Sequence, residues 1–193
     1  MNPRAVQLID CRSTPPGAIG GVVIRDFPDS AFGDVERVWG PERGRLPPTK
    51  QHTSWDWVRK IGWTAFRFLA VQVGNSVEGL AALKRSPLPS LTTPSDFTVE
   101  IAILEAAPWN VDGHPDGIRY RGVGTALIVE AVLLSREAGH AGRVQLSALP
   151  QAESWYRRRG MTEVGPQPPY GLVYFEYTQA QADDLLARNG VIP

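Results

Sequence analysis

The chain has 193 residues, 42% hydrophobic and 21% charged, a composition suited to one globular domain with a substantial core. Twenty basic residues balance twenty acidic ones, so no whole-molecule field draws the protein toward nucleic acid or an anionic membrane, and any anion needs a local device. No apolar run is long enough to cross a bilayer, Met1-Asn2-Pro3-Arg4-Ala5 lacks a secretory pattern, and the only cysteine, Cys11, has no partner; we therefore expect a cytoplasmic protein.

In chain order, Gly21-Val22-Val23-Ile24-Arg25 reads as a strand. Asp29-Ser30 is a cap for a helix that carries Val35, Val38 and Trp39 and ends at Gly40, and residues 41–51, rich in Arg, Pro and Gly, are expected to be an exposed loop. Thr53 would cap a second helix with Trp55, Val58 and Ile61 on one face and Gly62 as its stop. Residues 66–73 and 77–83 are β-rich runs joined at Gly74-Asn75-Ser76, which predicts a hairpin, and 97–105 is the next strand. Residues 122–138 are apolar on nearly every face and stop at Gly139, so they form a core helix covered on both sides. Arg143-Val144-Gln145-Leu146-Ser147-Ala148 alternates as a half-buried strand, and Pro150 opens a helix that Gly160 closes. Strands over 161–164 and 172–177 follow, joined by 165–171, and Thr178 with Gln181 makes a capping box for a last helix ending near Asn189-Gly190.

The chemistry begins at Arg119-Tyr120-Arg121-Gly122-Val123-Gly124-Thr125, which leads straight into the core helix. The first turn of a helix leaves backbone N–H groups unpaired at the positive end of the macrodipole, so a diphosphate there finds donors and charge together. Gly122 and Gly124 let it approach the backbone, and Arg119 and Arg121 add charge. A bare Gly-x-Gly is weak evidence, and an ordinary helix start is the plain alternative. The run lacks the third glycine of a dinucleotide fingerprint and the Gly-Lys-Ser/Thr ending of a P-loop.

With Arg119, Gly122 and Gly124 in place, the turn resembles the GNAT superfamily of N-acetyltransferases, whose signature is Gln or Arg, two residues, Gly, one residue, then Gly or Ala. Ala152, Trp155, Tyr156, Gly160 and Met161 match the family's next motif, although Leu149 stands where many members have Asn. The resemblance covers residues 66–177 and is only topological before them. It implies an α/β fold in which a mixed, mostly antiparallel central sheet opens into a V and is flanked by helices, all within one domain spanning residues 1–193. It also implies acetyl-CoA as co-substrate, with no metal.

For the reaction, the resemblance implies contacts to the coenzyme from Arg119, Arg121, Gly122, Val123, Gly124 and Thr125, and from the backbone of Leu104, whose N–H would meet the oxyanion. An acceptor amine must lose a proton, and the family places a glutamate on the strand before the turn as base. Glu100 and Glu105 are both candidates; alternation along the strand sends them to opposite faces, and position favours Glu100, with a paired structural carboxylate as the alternative for either. Tyr156 matches the tyrosine that protonates the leaving thiolate; a ring packed beside Trp155 is its alternative. The loop over 106–118 is longer than usual for the family and offers Trp109 and Asn110, with Asp112 and His114, as acceptor-binding groups, or else a decorated surface. His52, His114 and His140 lack ligand spacing, so no metal site is expected, and Arg157-Arg158-Arg159 reads as a phosphate contact or a charged helix end.

Acceptors in relatives enter past the loops that correspond to 41–51 and 165–171, and neither is strongly acidic, which disfavours a polycationic antibiotic or a histone-like tail. The expected acceptor is a small-molecule or peptide amine, without nucleic acid or membrane, and a homodimer is compatible with this. Two rivals stand: an inactive CoA-binding sensor, and an acetyltransferase for a macromolecule such as a protein N-terminus or aminoacyl-tRNA.

Overall fold

Burial, rather than residue type, alternates through Arg-Ala-Val-Gln-Leu-Ile-Asp, with Leu8 buried and Ile9 exposed, and in the computed structural model this run forms β1 (Arg4–Asp10), a strand that the expected order lacks. The structure describes residues 2–49, 55–168 and 171–191. Strand β1 pairs antiparallel with β2 (Gly17–Arg25), which starts upstream of the expected 21–25. Gly17, Ala18, Gly20 and Gly21 mask the alternation there, since residues without a large side chain leave no pattern to read.

A single 3₁₀ turn over Asp29–Ala31 leads into α1 (Phe32–Arg43), which buries Phe32, Val35, Trp39 and Arg43 along one stripe. The helix runs past Gly40 and through Pro41, so the connection expected from residue 41 starts at Gly44. Proline is tolerated in this last turn because few backbone bonds follow it, and buried Arg43 anchors the turn. Thr53 lies outside the described residues, and the helix expected after it is a 3₁₀ turn, Val58–Lys60. The helical face read from Val58 and Ile61 is exposed; the buried residues are Trp57 and Lys60.

The hairpin is found as β3 (Phe66–Val73) and β4 (Ser76–Lys84), with Gly74 at φ +57° in the turn. After the short β5 (Leu88–Pro89) come β6 (Phe97–Ala106), a 3₁₀ turn over Pro108–Asn110, and β7 (Tyr120–Arg121), a two-residue strand where the chain was expected to enter its helix directly. Then follow α2 (Val123–Glu137), β8 (Val144–Ala148), α3 (Glu153–Arg158), β9 (Thr162–Gln167), β10 (Leu172–Tyr177) and α4 (Gln179–Arg188), the last closed by the expected Thr178/Gln181 capping box. The ten strands belong to one mostly antiparallel sheet flanked by helices.

The chain divides into two compact units, Met1–Ala82 with Ile103–Leu127, and Leu83–Ala102 with Ile128–Pro193. In the first the strand order is β7-β1-β2-β3-β4, over a core of Phe27, Phe32, Val35, Trp39, Trp57 and Phe68 on α1 and its neighbours. In the second it is β6-β8-β10-β9, with β5 on β6. There β6 and β8 are parallel and register from Val99↔Val144 to Ile101↔Leu146, although β8 continues to Ala148.

Close packing in the first unit hangs on one residue of β4. A Cβ at Gly79 would lie 2.4 Å from Val123 Cγ1 and 3.2 Å from Leu127 Cδ1, so only glycine lets α2 settle against the strand. Gly79→Ala should destabilise the protein by about 1–3 kcal/mol, and Val123→Ala should restore part of the loss, both read from urea unfolding.

Candidate functional site

The turn that the sequence singles out is built between β1 and α2. Tyr120 and Arg121 pair with Asp10 and Ile9, and the Arg119 carbonyl accepts from Cys11 N–H at 2.8 Å, so the segment is held as an added strand. Gly122 then adopts φ +99°, a conformation that L side chains rarely take, and its carbonyl accepts the helical bond from Ala126 N–H at 2.9 Å. Among the described residues, no carbonyl or side chain receives the N–H groups of Val123, Gly124 or Thr125. Arg121 and Gly122 are exposed, and Arg119 stacks its guanidinium 4.8 Å from the Tyr120 ring. This is an open helix start with positive charge beside it, the arrangement that receives phosphate oxygens.

Behind the turn stands a residue that sequence reasoning missed. Glu78 of β4 is fully buried, and its Oε2 accepts from Trp109 Nε1 at 2.6 Å and Asn110 Nδ2 at 2.8 Å. Asn110 Oδ1 in turn accepts from Tyr120 N–H at 2.8 Å. The side chains expected to line an acceptor site, Trp109 and Asn110, are thus both engaged with Glu78. A charged residue inside the apolar run Val77-Glu78-Gly79-Leu80 was the available signal.

Glu105 is 3% exposed and sits in a second buried cluster. Arg43 Nε donates to its Oε1 at 2.7 Å, Trp57 Nε1 donates to its Oε2 at 2.6 Å, and Arg43 also makes two hydrogen bonds to Glu36, at 2.5 and 2.9 Å. Burial pushes the Glu105 carboxyl up, while the Arg43 and Trp57 hydrogen bonds pull it down. Arg43→Leu should destabilise the protein by about 3–5 kcal/mol in chemical denaturation, because it leaves two carboxylates without their cation.

In the second unit Glu100 is ion-paired with Lys84, Nζ to Oε2 at 2.6 Å, and the register places it beside Gln145, whose buried Oε1 has no hydrogen-bond partner among the described residues. Glu176 lies across Gln145 on β10, and its carboxylate accepts from Ser90 Oγ, Leu91 N–H and Thr92 Oγ1. Tyr156 on α3 is buried, edge-on to Trp155 at 5.1 Å and 5.6 Å from the Phe175 ring. Its hydroxyl makes no hydrogen bond among the described residues.

Of the remaining sequence candidates, His114, Arg157 and Arg159 have protein partners. His114 Nε2 lies 3.0 Å from Glu42, and hydrogen bonding to His114 lowers the Glu42 carboxyl. Arg157 is paired with Glu153 and Glu163, and Arg159 lies over Trp155. His140 packs on Phe97, and His52 is outside the described residues. Among the described residues no group of three or more His, Cys, Asp or Glu side chains is arranged to hold a metal, and no helix is long and apolar enough to cross a membrane.

Burial pushes the Tyr156 phenol well above its ordinary value and that of Tyr177 to about 12, so both bind their protons more tightly in the folded state. The stability they contribute is full below about pH 10, the unfolded value, and is lost as pH rises through the folded ones. Melting temperature should therefore hold to about pH 10 and fall above it, and the fall should be smaller in Tyr156→Phe.

The chain matches no protein-family model and no curated protein sequence. Its fold does match solved structures. A bacterial toxin is similar at 13% identity and TM-score 0.57, over 86% of this chain and 95% of its own. The AtaT–AtaR complex bound to DNA is similar at 15% identity and TM-score 0.55, over 85% of this chain and 98% of the matched one. The PaiA N-acetyltransferase of Thermoplasma acidophilum, in complex with coenzyme A, is similar at 14% identity and TM-score 0.50, over 81% of this chain and 98% of its own. The chain shares the fold of these structures, a mixed, mostly antiparallel sheet flanked by helices, as the resemblance of its motifs implied.

Proposed function

We propose that the protein is an acetyl-CoA-dependent N-acetyltransferase in which an amine attacks directly within a ternary complex. One observation carries the reading: the N–H groups of Val123, Gly124 and Thr125 stand without partners among the described residues at a helix start behind Gly122, in a fold shared with a coenzyme A-bound N-acetyltransferase. These amides, with the Arg119 and Arg121 side chains, hold the diphosphate, and glycine at 122 and 124 keeps the approach open. Coenzyme A, when bound, supplies the acyl thioester.

Glu100 takes the proton of the acceptor amine. It already holds one primary ammonium, that of Lys84, at 2.6 Å, so its carboxylate suits a second of the same chemistry. Glu105 is the weaker candidate for this step because Arg43 and Trp57 occupy both its oxygens. Tyr156 returns a proton to the leaving thiolate; burial keeps its phenol protonated far above neutral pH, and its hydroxyl is uncommitted to other described residues. The N–H of Leu104 faces the developing oxyanion, a role drawn from the family resemblance.

A small-molecule or peptide amine is the first acceptor considered. A macromolecular acceptor is the second reading, favoured by the likeness to a bacterial toxin and to the AtaT–AtaR complex with DNA.

Acetyl-CoA at a hundredfold excess over its dissociation constant should stabilise the protein by about 2.7 kcal/mol, seen as a raised melting temperature, and Gly124→Val should remove the shift without unfolding the protein. Thiol release against amines, peptides and charged tRNA then identifies the acceptor. With that acceptor, Tyr156→Phe should lower kcat by about a hundredfold and leave acetyl-CoA affinity within about twofold. No melting shift in the wild type rules out both the enzyme and a CoA sensor, and full turnover by Tyr156→Phe removes that residue from the mechanism.

A further inference from the structure

We propose that Glu78 and Asn110 are positioning residues for the diphosphate turn, acting through the backbone of Arg119 and Tyr120; this rests on the coenzyme A reading given above. A carboxylate with no solvent exposure in the middle of a strand requires strong compensation. Glu78 has it on one oxygen only: Oε2 accepts from both Trp109 and Asn110. Its backbone carbonyl accepts again from Asn110 Nδ2 at 3.2 Å, and from Ala107 N–H at 2.8 Å. Residue 78 thereby pins the whole 3₁₀ turn Pro108–Asn110 to β4.

What that turn carries is the approach to Gly122. Asn110 Oδ1 receives Tyr120 N–H, and the Trp109 carbonyl receives Arg119 N–H at 2.8 Å. Both residues ahead of Arg121-Gly122 therefore hang from the pair 109–110, which hangs from Glu78. The second carboxylate oxygen, Oε1, is buried without a hydrogen-bond partner among the described residues, and Arg119 Nη1 stands 3.8 Å from it as an ion pair. That ion pair restrains the Arg119 guanidinium next to the helix start. A buried network of this kind fixes the direction of the donors it supports, and diphosphate binding by backbone amides depends on that direction.

A strut that only stabilised the fold would affect every ligand alike, whereas a device for the turn affects the diphosphate alone. The test is calorimetric binding of acetyl-CoA and of S-acetylpantetheine, which lacks the diphosphate, to the wild type, Asn110→Ala and Glu78→Gln. Asn110→Ala should weaken acetyl-CoA binding by about tenfold or more with S-acetylpantetheine unchanged. Glu78→Gln keeps an oxygen for Trp109 and Asn110 but removes the ion pair with Arg119, and should weaken acetyl-CoA binding by about threefold, less than Asn110→Ala, with S-acetylpantetheine unchanged. Should Asn110→Ala fail to fold, Asn110→Ser serves in its place. Wild-type acetyl-CoA affinity in the Asn110 variant, or an equal loss for both ligands, overturns the proposal. A wild type that binds acetyl-CoA no more tightly than S-acetylpantetheine instead overturns the coenzyme A reading, and this inference falls with it.

Discussion

A helix must do something with its first N–H groups, and α2 leaves those of Val123, Gly124 and Thr125 without partners among the described residues. Much of the first unit can be understood from that constraint. Gly79 lets the helix lie against β4 at a distance that no Cβ would allow, which sets where its first turn falls. Gly122 reverses the backbone from the β1 ladder into the helix, and the pairing of β7 with β1 fixes the residues ahead of it. Both glycines answer a geometric demand, one of space and one of dihedral angle, and the free amides are the product.

The first unit also buries charge with a clear division of labour. Glu105, Arg43 and Glu36 compensate one another within α1, β6 and the Trp57 segment, and every oxygen of Glu105 has a donor. Glu78 has hydrogen-bond donors among the described residues on one oxygen only, with the Arg119 cation 3.8 Å from the other. The second unit gives the contrast between Glu176, fully engaged by the 90–92 segment, and Glu100, whose cation is a flexible lysine. Low-dielectric surroundings make a satisfied carboxylate rigid and an incompletely satisfied one responsive, so the two kinds suit different roles.

Much of this architecture was legible in the residues. Gly74-Asn75 marked the hairpin, Thr178 and Gln181 the last helix start, and Arg119, Gly122 and Gly124 the turn, because each of these uses a local device that the sequence spells out. What escaped depended on partners distant in the chain. Strand β1 has modest propensity of its own and exists as the bridge between β2 and β7. Helix α1 continues through Pro41 because Arg43 is drawn to Glu105, 62 residues away. Trp109 and Asn110 look like loop decoration until Glu78, 31 and 32 residues upstream, is placed beneath them. Val58 and Ile61 suggested a helical face by spacing, yet the element is one turn long and Trp57 is the residue it inserts.

The Glu36–Arg43–Glu105 cluster has a consequence for how this protein can drift or be redesigned. Losing Arg43 strands two carboxylates, and losing Glu105 strips a buried guanidinium and the Trp57 N–H of an acceptor, whereas swapping all three for well-fitted aliphatic groups is often neutral or better. The three positions are thus expected to be inherited, or exchanged, as a block. Lys84, whose side chain is 37% exposed and pairs with Glu100 within its own unit, stands outside that block.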